Sequence, residues 1–120
     1  MDQICLAFPL LPGQTAAARA FQRELDTDRK ADYDRSERRL GITKEVWFLA
    51  SLPGGDHLVA YIESEDFNRA VQLFVQSRDE FDLWFKQRLA GVTGVDLNNP
   101  PPGMSFPEVL SRYEAEAAPR

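Results

Sequence analysis

His57 is the one side chain in this sequence whose ordinary pKa lies near neutrality, and Asp56 stands directly before it, an arrangement suited to a general base oriented by a carboxylate. The competing reading is a solvated turn histidine, because HLVAY begins right after a Gly-Gly-Asp turn. Trp47, Tyr61, Trp84 and Tyr113 offer broad apolar rings with polar tips, the usual lining of a small-molecule pocket. Aromatics at strand or helix spacing serve equally well as core or dimer packing. Tyr33 sits in the charged run DTDRKADYDRSERR, where it can fold over the mouth of a pocket between the first helix and the sheet. Arg38 or Arg39 would then offer a bidentate grip on a ligand carboxylate. Against this stands a surface helix laced with charges four apart, Asp34 to Arg38 of opposite sign and Arg35 to Arg39 of like sign. Cys5 reads as a small buried thiol, with nothing basic beside it to lower its pKa. PGG and PPPG are turns that lack the strand-loop-helix setting of a phosphate cradle. One His and one Cys cannot build a His-based metal site, and no flavin motif is visible, so no metal or cofactor is expected.

The elements that must position these residues follow from hydrophobic periodicity. QICLAFPLL, residues 3–11, is an apolar run closed by Pro-Gly and predicts a buried strand. QTAAARAFQREL places Ala17, Ala18, Phe21 and Leu25 at helical spacing among good helix formers. That helix continues or restarts to Leu40, with Gly41 as its C-cap and Arg38 and Arg39 at its negative end. Residues 46–52 and 58–62 form two strands of a hairpin around Pro53, Gly54, Gly55 and Asp56. A second helix carries Phe67, Ala70, Val71, Phe74 and Val75 on one face, with Ser64 as a candidate N-cap. A third, or a kinked extension of the second, carries Phe81, Trp84, Phe85 and Leu89 and ends at Gly91. VTGVDLNNPPPGMS is a linker that favours polyproline backbone, FPEVLSRYEA alternates as a last strand, and residues 114–120 are a frayed tail.

The order β, α, β, β, α, α, linker, β is α+β and matches a ferredoxin-like βαββαβ sandwich, a single domain over residues 1–113 with a four-stranded antiparallel sheet. Right-handed crossovers put all its helices on one face. Yet the hairpin is apolar on both sides: Val46, Phe48 and Ala50 oppose Trp47 and Leu49, and Leu58, Ala60 and Ile62 oppose Val59 and Tyr61. A half-wet antiparallel sheet should alternate apolar with polar. A second copy, related by a twofold axis, is the simplest cover for the helix-free face, so a homodimer is expected.

Composition narrows the partners. A chain of 120 residues fits one domain, and its 14 Lys+Arg against 19 Asp+Glu give a net charge of -5, which opposes nucleic-acid binding. The opening MDQICLAFPLLPG has no basic leader and is broken by Pro9 and Pro12, so no signal peptide is expected. No apolar run approaches the roughly 20 residues of a bilayer span. A cytoplasmic location follows as an expectation, with the single cysteine suiting a reducing compartment.

The runs DYDRSERRLGITKEVWFLASLPGGDHLVAYIES and GVDLNNPPPGMSFPEVL resemble an uncharacterised bacterial family within the dimeric α/β-barrel superfamily, near the antibiotic-biosynthesis-monooxygenase-like proteins. The resemblance spans about residues 14–113 and implies two ferredoxin-like subunits whose sheets close a barrel. That superfamily includes cofactor-free oxygenases, haem degraders, isomerases, decarboxylating enzymes and small-molecule-binding domains, and one fold hosts many chemistries. The Asn, His and Trp set of its haem-degrading members has no match here. Two functions are therefore expected. One is a dimeric domain binding a small apolar or aromatic molecule; the alternative is a cofactor-independent monooxygenase acting on an aromatic or polyketide-like substrate, with His57 as base.

Overall fold

The computed structural model describes residues 1–100 and 106–116. Residues 101–105 of the expected linker and 117–120 of the tail lie outside them. The described chain is α+β: β1 (Asp2–Pro9), α1 (Thr15–Asp26), α2 (Lys30–Leu40), β2 (Ile42–Leu52), β3 (Gly55–Ser64), α3 (Phe67–Gln76) and α4 (Glu80–Thr93). The charged stretch restarts as a separate helix. Thr27 turns the chain out of helical geometry, and α2 buries Tyr33, Ser36 and Leu40 at spacings of three and four. Gly41 ends α2 at φ 78°, in the left-handed region that favours glycine, and β2 begins at the next residue.

The sheet has three strands in the order β1-β3-β2, each neighbour antiparallel. Leu6 and Trp47 both oppose Ala60, and a bulge falls between Ile42 and Lys44. Because side chains alternate across a strand, Phe8, Leu6 and Ile4 share one face with Leu58, Ala60 and Ile62 and with Leu49, Trp47 and Glu45. This face carries the core. Phe21 and Leu25 of α1, Tyr33 of α2 and Phe81, Phe85 and Leu89 of α4 pack with Leu58, while Phe67 of α3 packs with Ala60 and Ile62. Phe85 sits among rings, 5.1 Å from Phe21 and 5.5 Å from Phe74, both edge-on. On the opposite face, Val46 and Phe48 are exposed, Phe48 by 53%.

A polar knot joins the helices. Asp82, fully buried on the first turn of α4, accepts hydrogen bonds from Ser36 Oγ and Ser77 Oγ at 2.5 Å each and an ion pair from Arg39. One turn later Lys86, also fully buried, donates to the carbonyls of Phe74, Val75 and Ser77 at 2.8, 3.2 and 3.1 Å. These are the carbonyls that the end of α3 leaves without helical partners, so an ammonium completes them.

Three expectations are corrected. Residues 106–116 form no strand, so the four-stranded sheet reduces to three strands among the described residues. The open edge of β1 is met by side chains, not by a ladder: Val95, Leu97, Phe106 and Pro107 lie against Leu6 and Phe8, and Phe106 stacks edge-on to Phe67 at 5.1 Å. Pro107 has no N–H to donate, and beyond it Val109, Leu110 and Tyr113 are exposed. Ser64 is the buried last residue of β3, and Asp66 caps α3 instead, accepting from the Arg69 N–H at 3.1 Å. Nor does α4 stop at Gly91; it runs through to Thr93 and is closed by Gly94 at φ 79°. No helix among the described residues is long and apolar enough to cross a membrane.

Candidate functional site

Four residues converge where α2 meets β2. Tyr33 and Glu37 are one turn apart on the buried side of α2, and Glu45 and Trp47 are two apart on the core face of β2. The Tyr33 hydroxyl and the Trp47 indole N–H both donate to Glu45 Oε2, the latter at 3.0 Å. Glu37 neighbours the same carboxyl, and its own Oε2 is shielded from solvent with no hydrogen-bond partner. Glu45 is thus held by two neutral donors and approached by a second carboxyl.

Burial pushes Glu37 up to about 10 from its ordinary 4.5, with repulsion from Glu45 adding in the same direction. Glu37 therefore keeps its proton at neutral pH. Burial, then the neighbouring Glu45 and Glu37 charges, raise the Tyr33 phenol as well, so it stays a neutral donor. The sign of the stability effect follows. Folded Glu37 keeps a proton that the unfolded chain releases, so its contribution is complete below pH 4.5 and is lost as pH rises toward 10. Glu37→Gln is therefore expected to gain stability relative to the parent as pH rises between these limits, by up to about 1.4 kcal/mol per pH unit. Urea unfolding at pH 5, 7 and 9 checks it; a difference that stays flat with pH would contradict a proton held on Glu37.

The pair stands between two spaces. One is an apolar cavity of about 80 Å³ under α3, walled by Leu40, Ile62, Phe67, Val71 and Phe74, in which Glu37 and Glu45 are the charged groups. The other is an open polar cleft of about 420 Å³ on the solvent side, rimmed by Lys30, Asp34, Arg38 and Lys44 and lined by Tyr33 and both carboxyls. Neither Arg38 nor Lys44 makes an ion pair among the described residues, whereas Lys30 is bound to Asp34 at 2.9 Å.

The residues singled out in the sequence are scattered around this site. Tyr33 belongs to it, buried under α2 against Phe81 and Phe85 and set between helix and sheet. Trp47 belongs to it too, and its other side floors an open cleft of about 520 Å³ against α1. Arg38 stands at the polar rim. Arg39 is tied to Asp82, so its charge is already used inside the fold. Trp84 packs on Phe21 and Phe81 beneath the Arg29 guanidinium and lines none of the cavities described. Tyr61 lies on the helix-free face, its hydroxyl donating to Glu63 at 2.7 Å. Tyr113 is 88% exposed beyond the last element. His57 also falls on the helix-free side, opposite Pro9 and Ala50, with Nδ1 2.9 Å from the Gly55 carbonyl. Asp56 beside it instead accepts from Thr15 at 2.8 Å and Ser51 at 2.9 Å, which lowers its pKa. The expected lone buried thiol, Cys5, is exposed on the helix-free face.

Glu37 and Glu45 escape a reading that begins the strand at residue 46. Extended back to Ile42, the same alternation that turns Trp47 and Leu49 inward puts a carboxylate in an inward position. Among the described residues no group of three or more His, Cys, Asp or Glu could hold a metal ion.

No family model and no curated protein matches the chain. A solved structure does: tetracenomycin F2 cyclase from Streptomyces glaucescens, a type-II polyketide cyclase, superposes over 97% of this chain and 100% of its own with a TM-score of 0.58 at 15% identity. The likeness shows a shared fold.

Proposed function

We propose that this chain is a homodimeric small-molecule-binding domain whose ligand, small and apolar or aromatic, seats between the helix layer and the sheet against Glu37 and Glu45. The observation that carries this reading is the cavity itself: its walls are apolar, yet Glu37 and Glu45 line it, and Oε2 of Glu37 is a buried oxygen without a partner. Buried polar atoms are normally satisfied, and the exceptions call for an explanation. A ligand bearing one polar group supplies the missing bond. The cavity's volume of about 80 Å³ is roughly half that of an apolar cavity that holds a benzene, so it takes a group of a few heavy atoms. A larger molecule would leave its remainder in the polar cleft, where Arg38 and Lys44 can meet an acidic group. A fold shared with a polyketide cyclase is consistent with ring-bearing ligands.

The dimer completes the reading. Val46 and Phe48 are exposed on a face that also carries Cys5, Ala7, Ala50, Val59 and Tyr61, and this patch calls for cover. The resemblance to dimeric α/β barrels favours a second copy. The monooxygenase alternative with His57 as its base is disfavoured, because His57 is across the sheet from the cavity.

The test is a titration of the ¹⁵N-labelled protein with phenol and with acetone. Saturable shifts at the amides of Ile62, Val71 and Phe74 are expected, and spectra unchanged by both probes would refute the binding site.

A further inference from the structure

We propose that Glu37 and Glu45 are a catalytic acid–base pair that moves a proton between the α-carbon and the carbonyl oxygen of a small ketone seated in the apolar cavity. The inference rests on the binding reading above and adds a reaction to it. Binding alone would be served by one polar anchor. The cavity instead presents two carboxyls in unlike surroundings: Glu45 accepts from Tyr33 and Trp47, whereas Oε2 of Glu37 is buried without a partner. Pairs of titratable groups whose environments push them apart are the general arrangement for acid and base roles.

The roles follow from the hydrogen bonds. Glu45 Oε2 is fixed by Tyr33 and Trp47, which leaves Oε1 to act as base. Glu37, shielded and proton-bearing beside it, is the acid. In the forward step the α-carbon–hydrogen bond breaks and its proton passes to Glu45. The electron pair forms the carbon–carbon double bond of the enol, and the carbonyl oxygen takes the proton of Glu37. The pair ends with its proton on the other member, and exchange with solvent through the polar cleft that both carboxyls line restores the starting state. Nothing is oxidised or reduced, so no further reactant is needed. Tyr33 and Trp47 act as positioning residues, because they hold Glu45 and do not line the apolar cavity. Exchange with solvent is possible because both carboxyls also border the open polar cleft.

The ketone must be small. The cavity accommodates only a few heavy atoms, so acetone is the probe. Its α-hydrogens are followed by proton NMR in D₂O at pD 7.5, in the presence of the full-length protein. Wild type is expected to speed their exchange at least tenfold over an equal concentration of Glu45→Gln, with Glu37→Gln slowed at least tenfold as well. Tyr33→Phe should retain part of the rate and shift its pH profile, as expected of a residue that tunes Glu45 and does not touch the ketone. The amide shifts at Val71 and Ile62 are recorded in the same samples. Saturating shifts with no difference in exchange between wild type and the two Glu→Gln variants would overturn the acid–base pair and leave the binding site standing. Absent shifts in wild type would overturn both. Glu37→Gln keeps the shape of the side chain and removes a buried ionisable group, so its folding is secure even if Glu45→Gln proves unstable.

Discussion

Asp82→Ala is expected to lower the unfolding free energy by about 3–5 kcal/mol, the largest loss from any single polar side chain in the fold. Asp82 has no exposed surface, and three donors from two separate segments end on it: Ser36 and Arg39 of α2, and Ser77 between α3 and α4. Alanine leaves the two hydroxyls without an acceptor and strips Lys86, one turn on, of the carboxylate that offsets its burial. Burial lowers the Lys86 pKa and Asp82 raises it, so the loss of Asp82 makes the ammonium costlier to keep inside. Asp82→Asn retains shape and one acceptor and should cost less, about 1–3 kcal/mol. Thermal unfolding by circular dichroism checks both. A fall of roughly 12–20 °C is expected for alanine, and a change within 2–3 °C would show that the knot is dispensable.

If the proposed homodimer forms through the helix-free face, Phe48→Asp should separate it while leaving each subunit folded. Phe48 is half-exposed at the middle of the helix-free face, and a twofold axis would bring it near its own copy. Aspartate there places two carboxylates in a desolvated interface with no cation opposite, which weakens association by about 4 kcal/mol or more, a thousandfold in Kd. Light scattering is expected to report twice 13.6 kDa for the parent and 13.6 kDa for the variant, with unchanged circular dichroism. A parent that already scatters as 13.6 kDa would remove the homodimer, and the apolar sheet face would need another explanation.

The contrast between these two residues shows what the sequence can disclose. Phe48 alternates with Trp47 in a strand whose period is two, so its exposure on a second apolar face is legible before any coordinates. The three strands and the helices α1 and α3 are legible from periodicity of two and of 3.6, as is the cap at Gly41, whereas the separateness of α2 and of α4 stays open in the sequence. Asp82 is not legible, because it sits in EFDLWF where an acidic residue on a first turn usually faces water. Its burial depends on Ser36 arriving from a segment distant in sequence. The final strand fails by a different route. FPEVLSRYEA has the right alternation, but a strand is made by its neighbour, and the edge of β1 is met by Phe106 and Pro107 before a ladder can start. The carboxyl pair is half-legible. Glu45 shares the inward phase of Trp47, whereas nothing in a charged helix tells Glu37 from Glu24 or Asp34 until the sheet is laid beneath it.

Gly41 joins the two elements that carry Tyr33, Glu37, Glu45 and Trp47, with no intervening loop. The whole arrangement is therefore written in one uninterrupted stretch of chain, from position 33 to 47. Closing so short a span costs little chain entropy, so these four side chains can meet early in folding, ahead of the pairing of β1 with β3. It also means that the stretch can be inherited, transplanted or altered as a unit, with the surrounding scaffold free to diverge around it.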